Sequence, residues 1–244
     1  MFVIGVCSIL TPIMVQKATV VRDIPLSLGC ALFLLVLGIS GLGDKAGMTL
    51  GHADGVIFLI VFAGYIFTMV RSAMKARAAG QKIEIEGVEE CDNMKELSYG
   101  KSILFLIVGA AAIAFGGDLT VDTASRIAIE LGMSQTLVGL TIVSIGTSLP
   151  ELVTSVVAAR KNEVDMAVGN AVGSNIFNIL MVLGISSAIS PVALIWENII
   201  DIVLLMVFSV MVWIFAGTRK KIERKEGIIM VVVYLVYCAY IIAR

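Results

Sequence analysis

The segment Gly146-Thr147-Ser148-Leu149-Pro150-Glu151 places a carboxylate, two hydroxyls and a helix-breaking proline inside an otherwise apolar run. An ionised Glu near the centre of a bilayer costs about 2.5–3.5 kcal/mol on insertion scales, so its presence there calls for a function. Pro150 has no N–H, and its ring clashes with the carbonyl four residues back, which frees backbone oxygens near Ile145 and Gly146. Carbonyls, hydroxyls and a carboxylate together form an oxygen-rich pocket suited to a hard cation. A proline kink with Thr147 and Ser148 bonded back onto the helix accounts for those three residues but leaves Glu151 unexplained.

Thr147, Glu151 and Ser155 are four apart and share a helix face wherever Pro150 leaves the helix intact. On the next apolar segment Asn170, Ser174 and Asn178 have the same spacing, with Asn175 beside them. Two polar stripes in apolar helices are either interhelical hydrogen-bond glue or a coordination site. Amides and hydroxyls alone favour glue, whereas a Glu opposite them favours coordination. Gly169 and Gly173 form a GxxxG pattern that lets backbones approach closely.

The elements that must position these residues are membrane helices. The chain is 59% hydrophobic and 15% charged, a composition of integral membrane proteins. About seven full spans are predicted, near 24–42, 54–70, 102–117, 134–159, 163–188, 194–217 and 228–243, since a bilayer core takes about 20 helical residues. Residues 119–131 read as a surface extension of the preceding helix, with Arg126 and Glu130 at i,i+4. Cys7, Cys30, Cys91 and Cys238 have no metal-ligand or framework spacing, and the single histidine, His52, lies in a loop. Both facts argue against an intramembrane hydrolase. Fifteen of the eighteen Lys and Arg residues fall on alternate loops beginning with residues 15–23. The positive-inside rule therefore puts those loops in the cytoplasm and the C-terminus outside.

The chain repeats itself across an acidic linker, residues 76–101. FVIGVCSILTPIM (2–14) matches MVLGISSAISPVA (181–193), with Gly5 on Gly184, Ser8 on Ser187 and Pro12 on Pro191; one insertion later Asp23 falls on Asp201. The loop after the first copy is basic and that after the second is not, so the copies run in opposite orientations, the plan of many secondary transporters. Residues 2–14 span roughly 20 Å as helix, too short to cross a bilayer. The expectation is an all-α integral membrane protein, an N-terminally incomplete inverted-repeat secondary transporter with about seven full transmembrane helices and a partial one. Its parts are a remnant of the first membrane repeat (1–75), a cytoplasmic linker (76–101) and the second membrane repeat (102–244).

Residues 139–180, GLTIVSIGTSLPELVTSVVAARKNEVDMAVGNAVGSNIFNIL, resemble the α-repeat of bacterial-type sodium/calcium exchangers, GTSLPE and GNAVGSNIFN being the two most specific motifs. The resemblance extends over about 102–243 and more weakly over 1–75. It implies ten helices in two inverted halves, a prokaryotic cell membrane, and Na⁺ and Ca²⁺ as transported ions with no resident cofactor. It also implies roles: Glu151 as acidic ligand, Thr147 and Ser174 as hydroxyl or carbonyl ligands, and Ser144 where the family uses a backbone carbonyl. Ser148 would line the companion ion path, Asn178 holds a position occupied by Asp or Asn, and Asn175 would brace the helix pair. The family takes one acidic ligand from each of two α-repeats, and this sequence holds one. The expected function is sodium/calcium antiport by alternating access, with membrane lipid, a separate N-terminal half or a second copy as partners and no nucleic acid. The alternatives are a transport-inactive fragment or assembly partner, a cation channel, and, least favoured, an intramembrane enzyme.

Overall fold

The computed structural model describes residues 1–40, 48–78, 98–161, 163–219 and 221–243. The chain begins with α1 (Phe2–Leu10), β1 (Ile13–Met14), a wide π turn at Thr19–Asp23, α2 (Ile24–Ser40), β2 (Thr49–Leu50) and α3 (His52–Ala78). Most of the acidic linker lies outside the described residues. The second part holds α4 (Tyr99–Glu130), then a broken run: α5 (Gln135–Val138), a π turn at Gly139–Val143, α6 (Ser144–Gly146) and α7 (Leu149–Arg160). α8 (Val164–Phe177), a π turn at Asn178–Val182 and α9 (Leu183–Ile189) come next. The chain ends with β3 (Val192–Ala193), α10 (Trp196–Arg219), β4 (Lys221–Ile222) and α11 (Arg224–Ala243).

Six helical stretches among the described residues are long and apolar enough to cross a bilayer: Thr19–Ser40, His52–Lys75, Tyr99–Glu130, Met166–Ile189, Trp196–Thr218 and Arg224–Ala243. The chain is an integral membrane protein. The seventh span expected, 134–159, is not one helix but the broken run α5–α7. α4 continues unbroken through 119–130, about 48 Å at 1.5 Å per residue and longer than the hydrocarbon is thick. It stops in a Schellman turn: Gly132, at φ +92°, gives its N–H to Ile129 at 2.9 Å, and Met133 gives its own to Ala128 at 3.0 Å.

Three helices begin with the same cap. An acidic or amide side chain in the first turn reaches back to a backbone N–H that the helix leaves unpaired. Gly51 N–H donates to Asp54 Oδ2 (2.9 Å) at α3, Ile195 N–H to Asn198 Oδ1 (3.0 Å) at α10, and Glu223 N–H to Glu226 Oε2 (2.8 Å) at α11.

The chain forms two compact units. One holds α2, α3, α9, α10, the four short strands and α8 from Val168 onward. In it α3 packs on α9 at backbone contact. A Cβ on Gly55 would meet the amide nitrogen of Ala188, the Gly184 carbonyl at 2.7 Å and Ser187 Oγ at 2.7 Å. Phe62 meets Phe177 edge-on at 5.8 Å, and His52 Nδ1 is 2.9 Å from the Ala188 carbonyl. α2 packs on α10, where Trp213 Nε1 donates to the Val20 carbonyl at 2.9 Å. β2 pairs antiparallel with β3 (Thr49 on Ala193), and β1 with β4 (Ile13 on Ile222).

The other unit holds α1, α4–α7, α8 up to Ala167, and α11. Here α1 packs on α11 through Gly227, whose added Cβ would strike Ser8 Oγ and lie 2.8 Å from the Gly5 carbonyl. Phe2 stacks on Tyr234 at 4.9 Å. The sequence repeat thus has a physical counterpart: the first helix of each copy packs on the last helix of the other. Gly5 sits against Gly227 as Gly184 sits against Gly55.

Such contacts leave no room for a side chain, and overpacking costs about 1–3 kcal/mol. Gly55→Val and Gly227→Val are each expected to lower the thermal midpoint in detergent, while Gly64→Ala, with nothing within 4 Å of its Cβ, leaves it within the small range of surface changes. Unchanged midpoints for both valine variants would refute the close contacts.

Candidate cation site

The motif sits at a helix break, and local hydrogen bonding shows why. Thr147 N–H makes the last α-type bond, to Val143 at 2.9 Å; Ser148 N–H then reaches only three residues back, to Ile145 at 3.1 Å. Ser148, at φ −94° and ψ 0°, stands at the start of α7, and Leu152 N–H returns to its carbonyl at 3.0 Å. Pro150 therefore lies in the first turn of a new helix, where a missing N–H costs little, rather than kinking a continuous one. Of the two carbonyls expected to be free, that of Ile145 accepts from Ser148. That of Gly146 cannot be reached by Pro150, which has no N–H.

The break also corrects the expected stripe. Thr147 lies before α7, so Glu151 and Ser155 share a face within that helix and Thr147 does not extend it. Glu151 is half-buried in the first turn of α7, with Oε2 shut off from solvent. Thr147 and Ser148 are exposed, and Ser144 begins α6.

α4 backs the break. Gly146 is buried so closely against Val121 that no side chain fits, and a Cβ on Gly117 would lie 3.7 Å from the Pro150 ring. Ser155, 1% exposed, donates to the Ala167 carbonyl at 3.5 Å and ties α7 to the first turn of α8. Sequence reading placed Ser155 on the polar stripe but gave α4 no part near the motif. The small residues at 116–117 were the available signal.

The remaining expected residues lie in the other unit. Asn170, Ser174 and Asn175 are half-buried on α8, Ser174 Oγ donating to the Ala171 carbonyl at 3.1 Å. Asn178 is exposed at the start of the π turn. The structure therefore groups Ser144, Thr147, Ser148 and Glu151 on one broken segment and Ser174, Asn175 and Asn178 on another. Among the described residues no three His, Cys, Asp or Glu side chains cluster as a metal site.

The family model for sodium/calcium exchanger protein matches residues 101–243. An uncharacterised membrane protein of Methanocaldococcus jannaschii is 32% identical over 97% of this chain and 70% of its own length. The sodium/calcium exchanger MaX1 of Methanosarcina acetivorans is 36% identical over 58% of this chain and 41% of its own. A solved structure of the sodium-calcium exchanger NCX_Mj superposes with a TM-score of 0.75 at 31% identity, over 97% of this chain and 71% of that one. The chain belongs to the sodium/calcium exchanger family, a family of membrane ion transporters.

The Ser155 hydroxyl bond is at the long limit, so Ser155→Ala is expected to cost at most about 1 kcal/mol. Ser155→Leu puts a large side chain into a closed contact and should cost about 1–3 kcal/mol. Thermal unfolding of the two variants checks this; equal losses would mean that the hydroxyl, not the space, matters.

Proposed function

We propose that this chain carries one half of a sodium/calcium antiport site, with Glu151 as its acidic ligand. The observation that supports this most is the half-buried carboxylate in the first turn of a helix interrupted at Thr147–Ser148 within an apolar segment. Thr147 and Ser174 supply hydroxyl or carbonyl oxygens, Ser144 a carbonyl, and Ser148 lines a neighbouring sodium path. Asn178 is an amide ligand, and Asn175 braces the pair of helices. The related MaX1 and NCX_Mj are by name sodium/calcium exchangers.

Charge sets what the site does. Ca²⁺ takes six to eight oxygens, usually with more than one carboxylate. Glu151 alone balances one Na⁺ but only half of Ca²⁺, and GTSLPE occurs once in the sequence. The calcium-competent site is therefore completed by a second acidic surface, from a separate N-terminal half or a second copy. Antiport results when the same oxygens hold either one Ca²⁺ or sodium ions, because an empty site would carry uncompensated carboxylate charge across the bilayer. Alternating access then moves one membrane repeat against the other, 1–75 and 102–244, joined by the cytoplasmic linker 76–101. The basic loops face the cytoplasm of a prokaryotic cell membrane and the C-terminus faces outside.

In vesicles the 244-residue chain alone is expected to show no sodium-gradient-driven calcium uptake. Uptake should appear when a partner with a second acidic α-repeat is supplied, and Glu151→Gln in that pair should reduce it to background while membrane insertion persists. Near-normal uptake by the glutamine variant would remove Glu151 from the site. Exchange by the chain alone would mean that two copies share their Glu151 residues.

Orientation has its own test. Lys221→Cys, at an exposed position of β4, should resist an impermeant thiol reagent in intact cells and react after permeabilisation. Rapid labelling of intact cells would reverse the assignment.

A further inference from the structure

At the junction of β2 and α3 a carboxylate is buried more completely than its contacts account for. Asp54 is 0% exposed. Its Oδ2 accepts the Gly51 N–H at 2.9 Å, and its Oδ1 has no hydrogen-bond partner among the described residues. The Thr49 hydroxyl, at the start of β2, is also shut off from solvent and without a partner there. The Gly51 amide holds the carboxylate two residues from Thr49, so both orphaned oxygens belong to one short segment, Thr49–Asp54. Asp54 makes no ion pair with a described residue. His52, beside it in sequence, is engaged through Nδ1 with the Ala188 carbonyl. A carboxylate closed off from water is paired with a cation or coordinates a metal, because its charge is otherwise unserved.

The repeat supplies an internal comparison. The same junction in the other copy reads Lys221-Ile222-Glu223-Arg224-Lys225-Glu226, against Thr49-Leu50-Gly51-His52-Ala53-Asp54. Glu226 makes the same cap with one oxygen, on the Glu223 N–H. It is only half-buried, and the exposed Lys221, Arg224 and Lys225 share its segment. Solvent and basic side chains are thus at hand for that carboxylate. In the first copy the three basic residues are Thr49, His52 and Ala53, and the acid is one methylene shorter and fully enclosed. Capping needs one carboxylate oxygen in each copy. The second oxygen of Asp54 and the Thr49 hydroxyl are left over from it.

We propose that Asp54 Oδ1 and Thr49 Oγ1 hold a small monovalent cation, of which sodium is the probe, at the N-terminal end of α3. One carboxylate balances one such ion and leaves a divalent ion half neutralised, and carboxylate and hydroxyl oxygens are hard ligands. The site lies in the other compact unit from Glu151 and is independent of the transport reading. The ion fastens β2 to the start of α3, one residue before the Gly55 contact with α9.

The test is thermal unfolding of the full chain in detergent, carrying Glu151→Gln to remove the acidic ligand proposed for transport. Sodium chloride is titrated against choline chloride at constant ionic strength. Sodium should raise the midpoint saturably, by about 3–5 °C at a tenfold excess over its dissociation constant. Asp54→Asn keeps an oxygen for the cap and should abolish the shift. Thr49→Val should raise the sodium concentration needed about tenfold, the scale of one lost ligand contact, and Thr49→Ser should restore it. Glu226→Gln, at the equivalent cap, should leave the shift intact. If Asp54→Asn does not fold, the Thr49 pair carries the test. Equal midpoints in the two salts would leave the carboxylate to a proton, a water or a cation of the chain and overturn the proposal. So would a shift that survives Asp54→Asn, or an equal loss in Glu226→Gln. A shift present with Glu151 but absent from Glu151→Gln would place the ion at the transport segment and overturn this site alone.

Discussion

Hydrocarbon offers no hydrogen bonds, and the interruption of the helix at Thr147–Ser148 has to be reconciled with that. Each departure from the α-helix exposes backbone groups that must find partners inside the protein or in water. The chain keeps the exposure small. Ser148 tightens to a three-residue bond with Ile145, so the gap between α6 and α7 leaves few amides unserved. A proline comes at once, in the first turn, where no donor is needed. On the other side α4 brings Gly117 and Val121 against the break, shielding Pro150 and Gly146 from lipid. What stays open is a polar surface, the exposed Thr147 and Ser148 beside a half-buried Glu151.

The contacts between copies of the repeat meet a different constraint. Between membrane helices there is little hydrophobic drive, so close packing of small residues has to hold them together. Gly55 with Gly184, and Gly5 with Gly227, bring backbones together where any side chain would intrude. Ser8 and Ser187 lie in the same contacts and turn their hydroxyls onto their own helices, to Gly5 at 2.9 Å and Leu183 at 2.6 Å. Each helix thereby offers its neighbour a small surface with no polar group left to satisfy. Because the partners in each contact come from different copies of the repeat, neither copy packs these helices by itself.

The apolar spans, the interruption at Pro150 and the match of Gly5, Ser8 and Pro12 to Gly184, Ser187 and Pro191 were legible in the sequence, because each is a local pattern. The exchange of helices was not, since it pairs residues with no shared periodicity. A signal was nonetheless present: Asp54-Gly55-Val56-Ile57 resembles Glu226-Gly227-Ile228-Ile229, an acid that caps followed by a glycine that packs. The two-residue strands are too short to show alternation, and the π turns leave no compositional mark. The expected run at 134–159 misjudged how far a proline two residues into a helix lets the preceding helix continue.

The polar residues of α8 show why spacing by four is an incomplete guide to a face. Each step of four residues advances about 400° around the helix, so a stripe drifts by about 40° per step. Asn170 and Ser174 remain half-buried after one step, whereas Asn178, after two, emerges exposed. At that residue the chain enters a π turn, Asn178–Val182, before α9 begins. A wide turn accommodates an extra residue and resets the rotation of the helix beyond it. α9 can therefore aim Gly184 and Ser187 at α3 independently of where α8 aims its amides. The turn uncouples the helix that packs from the helix that carries polar groups, and the same insertion at Gly139–Val143 precedes the break at Thr147–Ser148.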